Sequence, residues 1–190
     1  MYSQSDEEKY ILDYFKDFTG KFLDIGAYDG KQFSNTYALS LRGWAGVCME
    51  PSVSCFRSLL QLYHTNPNIQ CVNAALDTER RIVKFYDSNG DAVSTTSASH
   101  ARKWSIVGFK EMWISTTIIQ DILSTFGETY DMVSLDVEGT NLTLLKTLPL
   151  KQMGVKLICI EYENYYDEVV EYCAGYHEIH RTNENVIMAL

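Results

Sequence analysis

The chain has 190 residues, with 16 Lys and Arg against 25 Asp and Glu, a formal net charge of −9, and 46% apolar residues. That length suits one domain, 1–190, and that apolar fraction suits a sizeable core rather than disorder. The acidity argues against a general nucleic-acid or polybasic membrane binder, and no run approaches the ~18 apolar residues of a membrane span.

Residues 6–18 space Tyr10, Ile11, Tyr14, Phe15 and Phe18 as a helix face, with Ser5 as N-cap and Gly20 as stop. Residues 21–25 read as a buried strand ending in Gly26-Ala-Tyr-Asp-Gly30. Residues 34–42 read as a helix capped by Ser34 and ended by Gly43, and 45–49 as a strand running into Glu50-Pro51. A helix follows over 52–65, with Phe56, Leu59, Leu60 and Tyr63 on one face. Strands are expected at 69–75 and, at an edge, 81–86. A long Ser/Thr/Gly/Asn-rich loop follows over 88–104. Residues 112–117 read as a strand and 118–126 as a short helix. Buried strands 130–136 and 155–161 flank a helix over 140–148 that Pro149 ends. A helix over 165–174, stopped by Gly175, precedes a hairpin of 176–182 with 185–190.

Strands alternating with helices imply an α/β fold: a mostly parallel sheet with helices on both faces, plus a C-terminal antiparallel hairpin. Ligands of such sheets bind beyond the carboxyl ends of the strands. The N-terminus carries no basic-then-apolar secretion signal. The five cysteines have no CxxC spacing and read as buried reduced thiols, so a cytoplasmic setting is the expectation. His177 and His180, on the hairpin, read as structural.

The strand ends are unusually acidic. Asp24 precedes, and Asp29 falls within, a GxxxG turn (Gly26, Gly30) rather than the GxGxxG of a dinucleotide site. Two carboxylates there repel a pyrophosphate but suit S-adenosylmethionine (SAM), which carries an ammonium and a sulfonium and no phosphate. Glu50, about 20 residues beyond the glycines, has the position of an acid that binds ribose hydroxyls. Small residues after the next strand, Asn73-Ala74-Ala75, leave room for a purine. Asp136 with Glu138, and Glu161 with Glu163, put paired acids on neighbouring strand ends. Such pairs can supply a general base, orient a hydroxyl or bind a divalent metal. Asp24, Asp29, Glu50, Asp77, Asp136, Glu138 and Glu161 share this expected rim; without those seven, 18 acids face 16 bases.

These motifs, in this order and spacing, resemble the FkbM-type SAM-dependent methyltransferases, of Rossmann-like fold. The resemblance rests on Tyr2-Ser-Gln-Ser, Phe22-Leu-Asp-Ile-Gly-Ala-Tyr-Asp-Gly30, Phe33-Ser-Asn-Thr-Tyr37, Gly43-Trp-Ala-Gly, Met49-Glu-Pro-Ser52, Leu135-Asp-Val-Glu-Gly139 and Ile160-Glu161. It implies that Asp24, Gly26, Tyr28 and Gly30 line the methionine part of SAM, with Gln4, Asn35 and Thr36 near its carboxylate. Glu50 would hold the ribose, Pro51 and Ser52 would border the adenine, and Asn73, Ala74 or Ala75 would lie by the purine. Asp136 would lie beside the reactive methyl. Many relatives carry Lys two residues before that Asp, where this chain has Ser134, so a carboxylate (Asp136, Glu138, Glu161) or a histidine is the expected base. His100, in the 88–104 loop, is the substrate-side candidate. The acceptor implied is a sugar hydroxyl or other small molecule. Two other readings compete. An NAD-dependent oxidoreductase or epimerase would want GxGxxG and a Tyr-x-x-x-Lys pair, and neither occurs. A non-catalytic SAM-binding module on the same fold is the third.

Overall fold

The computed structural model describes residues 1–190. Four short apolar segments form its centre: β1 (Lys21–Ile25), β2 (Ala45–Met49), β7 (Met132–Leu135) and β8 (Leu157–Glu161). All four pair in parallel and are buried on both faces, which is why they read as near-continuous hydrophobic runs. With β3 (Ile69–Val72), β9 (His177–Arg181) and β10 (Asn185–Ala189) they make a seven-stranded sheet of order β3-β2-β1-β7-β8-β10-β9. β10 is antiparallel to both β8 and β9 and carries a register shift between Ile187 and Met188. Strand order reverses between β1 and β7, opening a crevice at their carboxyl ends.

Side-chain alternation divides the core. Phe22, Met132, Cys48 and Cys159 pack under α1 (Glu7–Phe15), α2 (Tyr37–Leu41) and α3 (Val53–Tyr63). Leu23, Ile25, Val133 and Leu135 pack under α5 (Ile119–Phe126), α6 (Asn141–Leu145), α7 (Leu150–Met153) and α8 (Tyr166–Tyr172). A second sheet, β4-β6-β5, stands beside the crevice: β4 (Ala75–Leu76), β5 (Ile82–Asp87) and β6 (Lys110–Thr117). No helix is long and apolar enough to cross a membrane.

Several expectations change in detail. α1 begins after Asp6 rather than at a Ser5 cap, because Ser3 Oγ accepts from Glu8 N–H. It ends at Phe15, where Lys16 takes φ +49°, not at Gly20. α2 starts only at Tyr37, although Ser34 Oγ accepts from the Tyr37 amide as a cap would. On α3 the buried stripe is Cys55, Leu59 and Tyr63, and Leu60 is exposed. Residues 69–75 are not one strand: the chain leaves the main sheet after Val72, and Ala75–Leu76 pairs with β6 instead. The 88–104 segment is no simple loop, since it contains α4 (Ala98–Lys103), capped by Ser97 Oγ. α6 ends at Leu145, short of the expected 148, and Pro149 instead stands at the start of α7, a short helix missing from the expected elements, which Gly154 closes in the left-handed conformation. Of the hairpin histidines, His180 stacks on Tyr10 at 3.7 Å and lies 2.6 Å from Asp6, while His177 is exposed. All five cysteines are free; four are buried and Cys71 is half-buried.

Candidate functional site

The crevice holds two connected chambers. The inner one is walled by Ile25, Met49, Ala74, Ala75, Leu76 and Phe85. Glu50 and Pro51 border it, and Asp91 to Thr96 cover it. The outer, wider cleft takes in Gln4, Asp24, Asn35, His100, Glu161 and Glu163. Gly26, Tyr28, Asp136 and Glu138 line both.

Local geometry explains these placements. Gly26 has φ +90°, and a Cβ there would lie 1.7 Å from the Asp136 carbonyl oxygen, so only glycine lets the β1 and β7 ends come together. The register sets Asp24 beside Cys48 and Ser134, at the crevice floor. A bridge between Ser3 and Phe33 brings the N-terminal segment against the 33–36 turn, which is how Gln4 and Asn35, far apart in sequence, share the cleft. Tyr28 reaches over to donate its hydroxyl to the Gly90 carbonyl at 2.8 Å, tying the β1 turn to the covering segment.

The carboxylates are held tightly. Glu50 is buried, and its two oxygens accept from the backbone amides of Ser52 (2.7 Å) and Tyr28 (2.9 Å). Burial nonetheless pushes its pKa up to about 8, against the pull of those two amides. Asp24, only 4% exposed, accepts from Thr36 Oγ1 at 2.6 Å and is pushed up by burial to about 6. Asp136 is raised well above the carboxylate range, first by burial and then by the charges of Glu161 and Glu138. Glu161 accepts from Asn141 Nδ2 at 2.7 Å, and burial with Glu138 and Glu163 nearby raises it to about 7. Two buried acceptors lack any partner at this site: Asn35 Oδ1 and Asp136 Oδ1. Fully buried acceptors left unpaired are costly, so both are poised for a donor that arrives with a ligand.

Not every expected residue faces the chambers. Thr36 and Ser52 lie behind the wall, holding Asp24 and Asp87. Gly30 packs against α3, where a Cβ would meet Leu59 at 2.6 Å. Asn73 is exposed and donates to the Glu50 and Pro51 carbonyls. The acidic rim also differs in membership. Asp29 accepts from the Lys31 and Gln32 amides, and Asp77 pairs with Arg81, so neither lines a chamber. Asp91 and Glu163 do. Glu138 and Glu163 both have positive φ, 56° and 49°, so the two acid pairs are not extended and their members do not simply point the same way. Asp91, Phe85 and Lys103 stand outside the expected site set. Asp91 had one sequence signal, the Asn89-Gly90 turn; Phe85 and Lys103 had none that marks a site. No three His, Cys, Asp or Glu side chains converge as a metal-holding group.

Residues 24–182 match the Methyltransferase FkbM domain. The chain belongs to the FkbM methyltransferase family. Among curated proteins no sequence matches it. Solved structures, methyltransferases among them, share the fold of this FkbM chain at low identity. Monomeric WbdD has a TM-score of 0.57 at 12% identity, over 98% of this chain and 41% of its own. The Thermus thermophilus 16S rRNA N2 G1207 methyltransferase RsmC, solved with AdoMet and guanosine, has 0.56 at 10%, over 96% and 41%. The ribosomal protein L11 methylase of Lactobacillus delbrueckii subsp. bulgaricus has 0.54 at 9%, over 97% and 76%. The FkbM chain thus spans less than half of the first and second of these. Their likeness shows the Rossmann-like SAM-methyltransferase fold.

Proposed function

We propose that the chain is a SAM-dependent methyltransferase that transfers a methyl group to a hydroxyl oxygen of a sugar or other small acceptor. The observation that carries this reading is the pairing of a narrow apolar chamber, bordered by Glu50, with an acidic cleft containing two unpartnered buried acceptors, Asn35 Oδ1 and Asp136 Oδ1. The chamber suits an adenine ring, and Glu50 suits the ribose hydroxyls. The acceptors and Asp24 suit an ammonium group, while the amide of Gln4 is available to a carboxylate. When bound, SAM supplies an electrophilic methyl on a cationic sulfur. Asp136 and Glu161 then favour that cation electrostatically, and the walls orient the acceptor and exclude water.

The outer cleft supports a small neutral acceptor. Its charged lining is mostly acidic, which disfavours a polyanion. Phe33, Trp104 and Tyr165 are partly exposed around it and offer flat apolar faces to the C–H side of a sugar ring. The test is transfer from methyl-labelled SAM to a panel of methyl glycosides, nucleosides and small hydroxy compounds, with and without chelator. Labelled glycoside ethers are expected. Transfer confined to amines or nucleosides would overturn the assignment of the acceptor.

A further inference from the structure

His100 is 8% exposed, yet its ring lines the outer cleft. It is placed by α4, which lies directly over Gly139: a Cβ built there would stand 2.9 Å from the Cβ atoms of both His100 and Ser97. Thr95 Oγ1 also donates to the Glu138 carbonyl, so the covering segment is anchored to the turn that carries Glu138. His100 Nε2 is buried 2.7 Å from Glu138 Oε2 without making an aligned hydrogen bond to it. Nδ1 is 3.9 Å from Glu163 Oε1, too far for a hydrogen bond. The groups facing the ring are therefore Glu138 after β7, Glu163 after β8, and Trp104 just past its own helix. Glu138 and Asp136 line both chambers, so the ring stands against their boundary.

We propose that His100 is the general base that accepts the acceptor's hydroxyl proton, with Glu138 as its positioning residue. This rests on the O-methylation reading above. The hydroxyl proton passes to Nδ1 of His100, the ring nitrogen not buried against Glu138, as the oxygen bonds to the methyl carbon. The electron pair of the broken carbon–sulfur bond stays on sulfur, which leaves as a neutral thioether, and the positive charge ends on the imidazolium. Glu138 and Glu163 flank that charge. The carboxyl rivals are less suited: Asp136 is buried among like charges, and Glu161 is engaged by Asn141. Proton transfer of this kind is worth roughly 10²–10⁴ in rate.

The test compares wild type with His100→Gln and Glu138→Gln. It uses SAM calorimetry and single turnover on methyl glycosides over a range of acceptor concentration and of pH. His100→Gln is expected to bind SAM within twofold of wild type, to lose at least a hundredfold in the transfer rate, and to lose the acid limb of the pH profile. Glu138→Gln frees the ring from the carboxylate 2.7 Å from Nε2, so the maximal transfer rate should fall about tenfold while half-saturation by the acceptor stays within twofold. A His100→Gln protein with the wild-type rate or acid limb overturns the proposal, as does a Glu138→Gln protein with the wild-type maximal rate. Wild type that binds SAM but methylates no glycoside sinks the acceptor reading instead, and the two variants are then compared on whichever hydroxy compound is methylated.

Discussion

Glu50 illustrates how one side chain can serve both the fold and a ligand. Its carboxyl accepts two backbone amides, from Ser52 and Tyr28, and so fixes the β1 and β2 turns against each other. Its remaining lone pairs border the inner chamber. Hydrogen bonds to a charged group are worth about 1.5–3 kcal/mol each. Glu50→Ala is therefore expected to weaken SAM binding at least tenfold by calorimetry while far-UV circular dichroism stays native; unchanged affinity would place the ribose elsewhere. Asp24 acts one layer deeper, gripped by Thr36 at 2.6 Å. Thr36→Val should leave this buried acid without its donor and lower the thermal midpoint by several degrees, consistent with a lost charged hydrogen bond in a domain of this size. An unshifted midpoint would show that the contact contributes nothing.

At the level of elements, the site depends on how closely β1 and β7 approach. Gly26→Ala would force a Cβ into the Asp136 carbonyl and a side chain into φ +90°. The expected outcome is loss of SAM binding together with a destabilisation of several kcal/mol in urea titration; a variant with wild-type affinity would show that the two turns are free to separate. The strands that make this approach were the most legible part of the sequence. β1, β2, β7 and β8 are apolar runs closed by acids or glycine, a pattern that follows from burial on both faces. What was less legible depended on partners distant in the chain. Residues 98–103 carry good helix formers (Ala98, Ala101, Arg102, Lys103) but form too short a run, after a Ser/Thr-rich stretch, to hold a helix alone, and α4 exists there because it packs on Gly139 and is capped by Ser97. The split of 69–75 between two sheets is decided by β6, more than 35 residues later, which offers Thr116 and Thr117 as partners to Ala75 and Leu76. The same limit applies to the site. Asp24, Glu50 and Asp136 could be read as strand-end acids. That Asn73, Ser52 and Gly30 face away from the chambers follows from side-chain direction and helix packing, which spacing does not encode.

Across the whole molecule the acidity has a thermodynamic consequence. Glu50 at about 8, Glu161 at about 7 and Asp24 at about 6 all lie above their ordinary values near 4. Raised carboxyl pKa values mean that the folded chain binds more protons than the unfolded one, so stability is fully present below about pH 4 for these groups and is lost as pH rises through about 8. The ligand-free thermal midpoint is expected to fall between pH 5.5 and pH 8.5 once other titrations are matched with Glu50→Gln and Asp24→Asn controls. A cation bound among these acids favours their ionised forms and reverses that trend. The most direct measurement is calorimetry of the wild-type chain with SAM and with NAD at pH 5.5 and 8.5. Binding of SAM alone, tighter at pH 8.5, is the expected result; no SAM binding at millimolar concentration, or NAD binding in its place, would contradict a SAM site in this crevice.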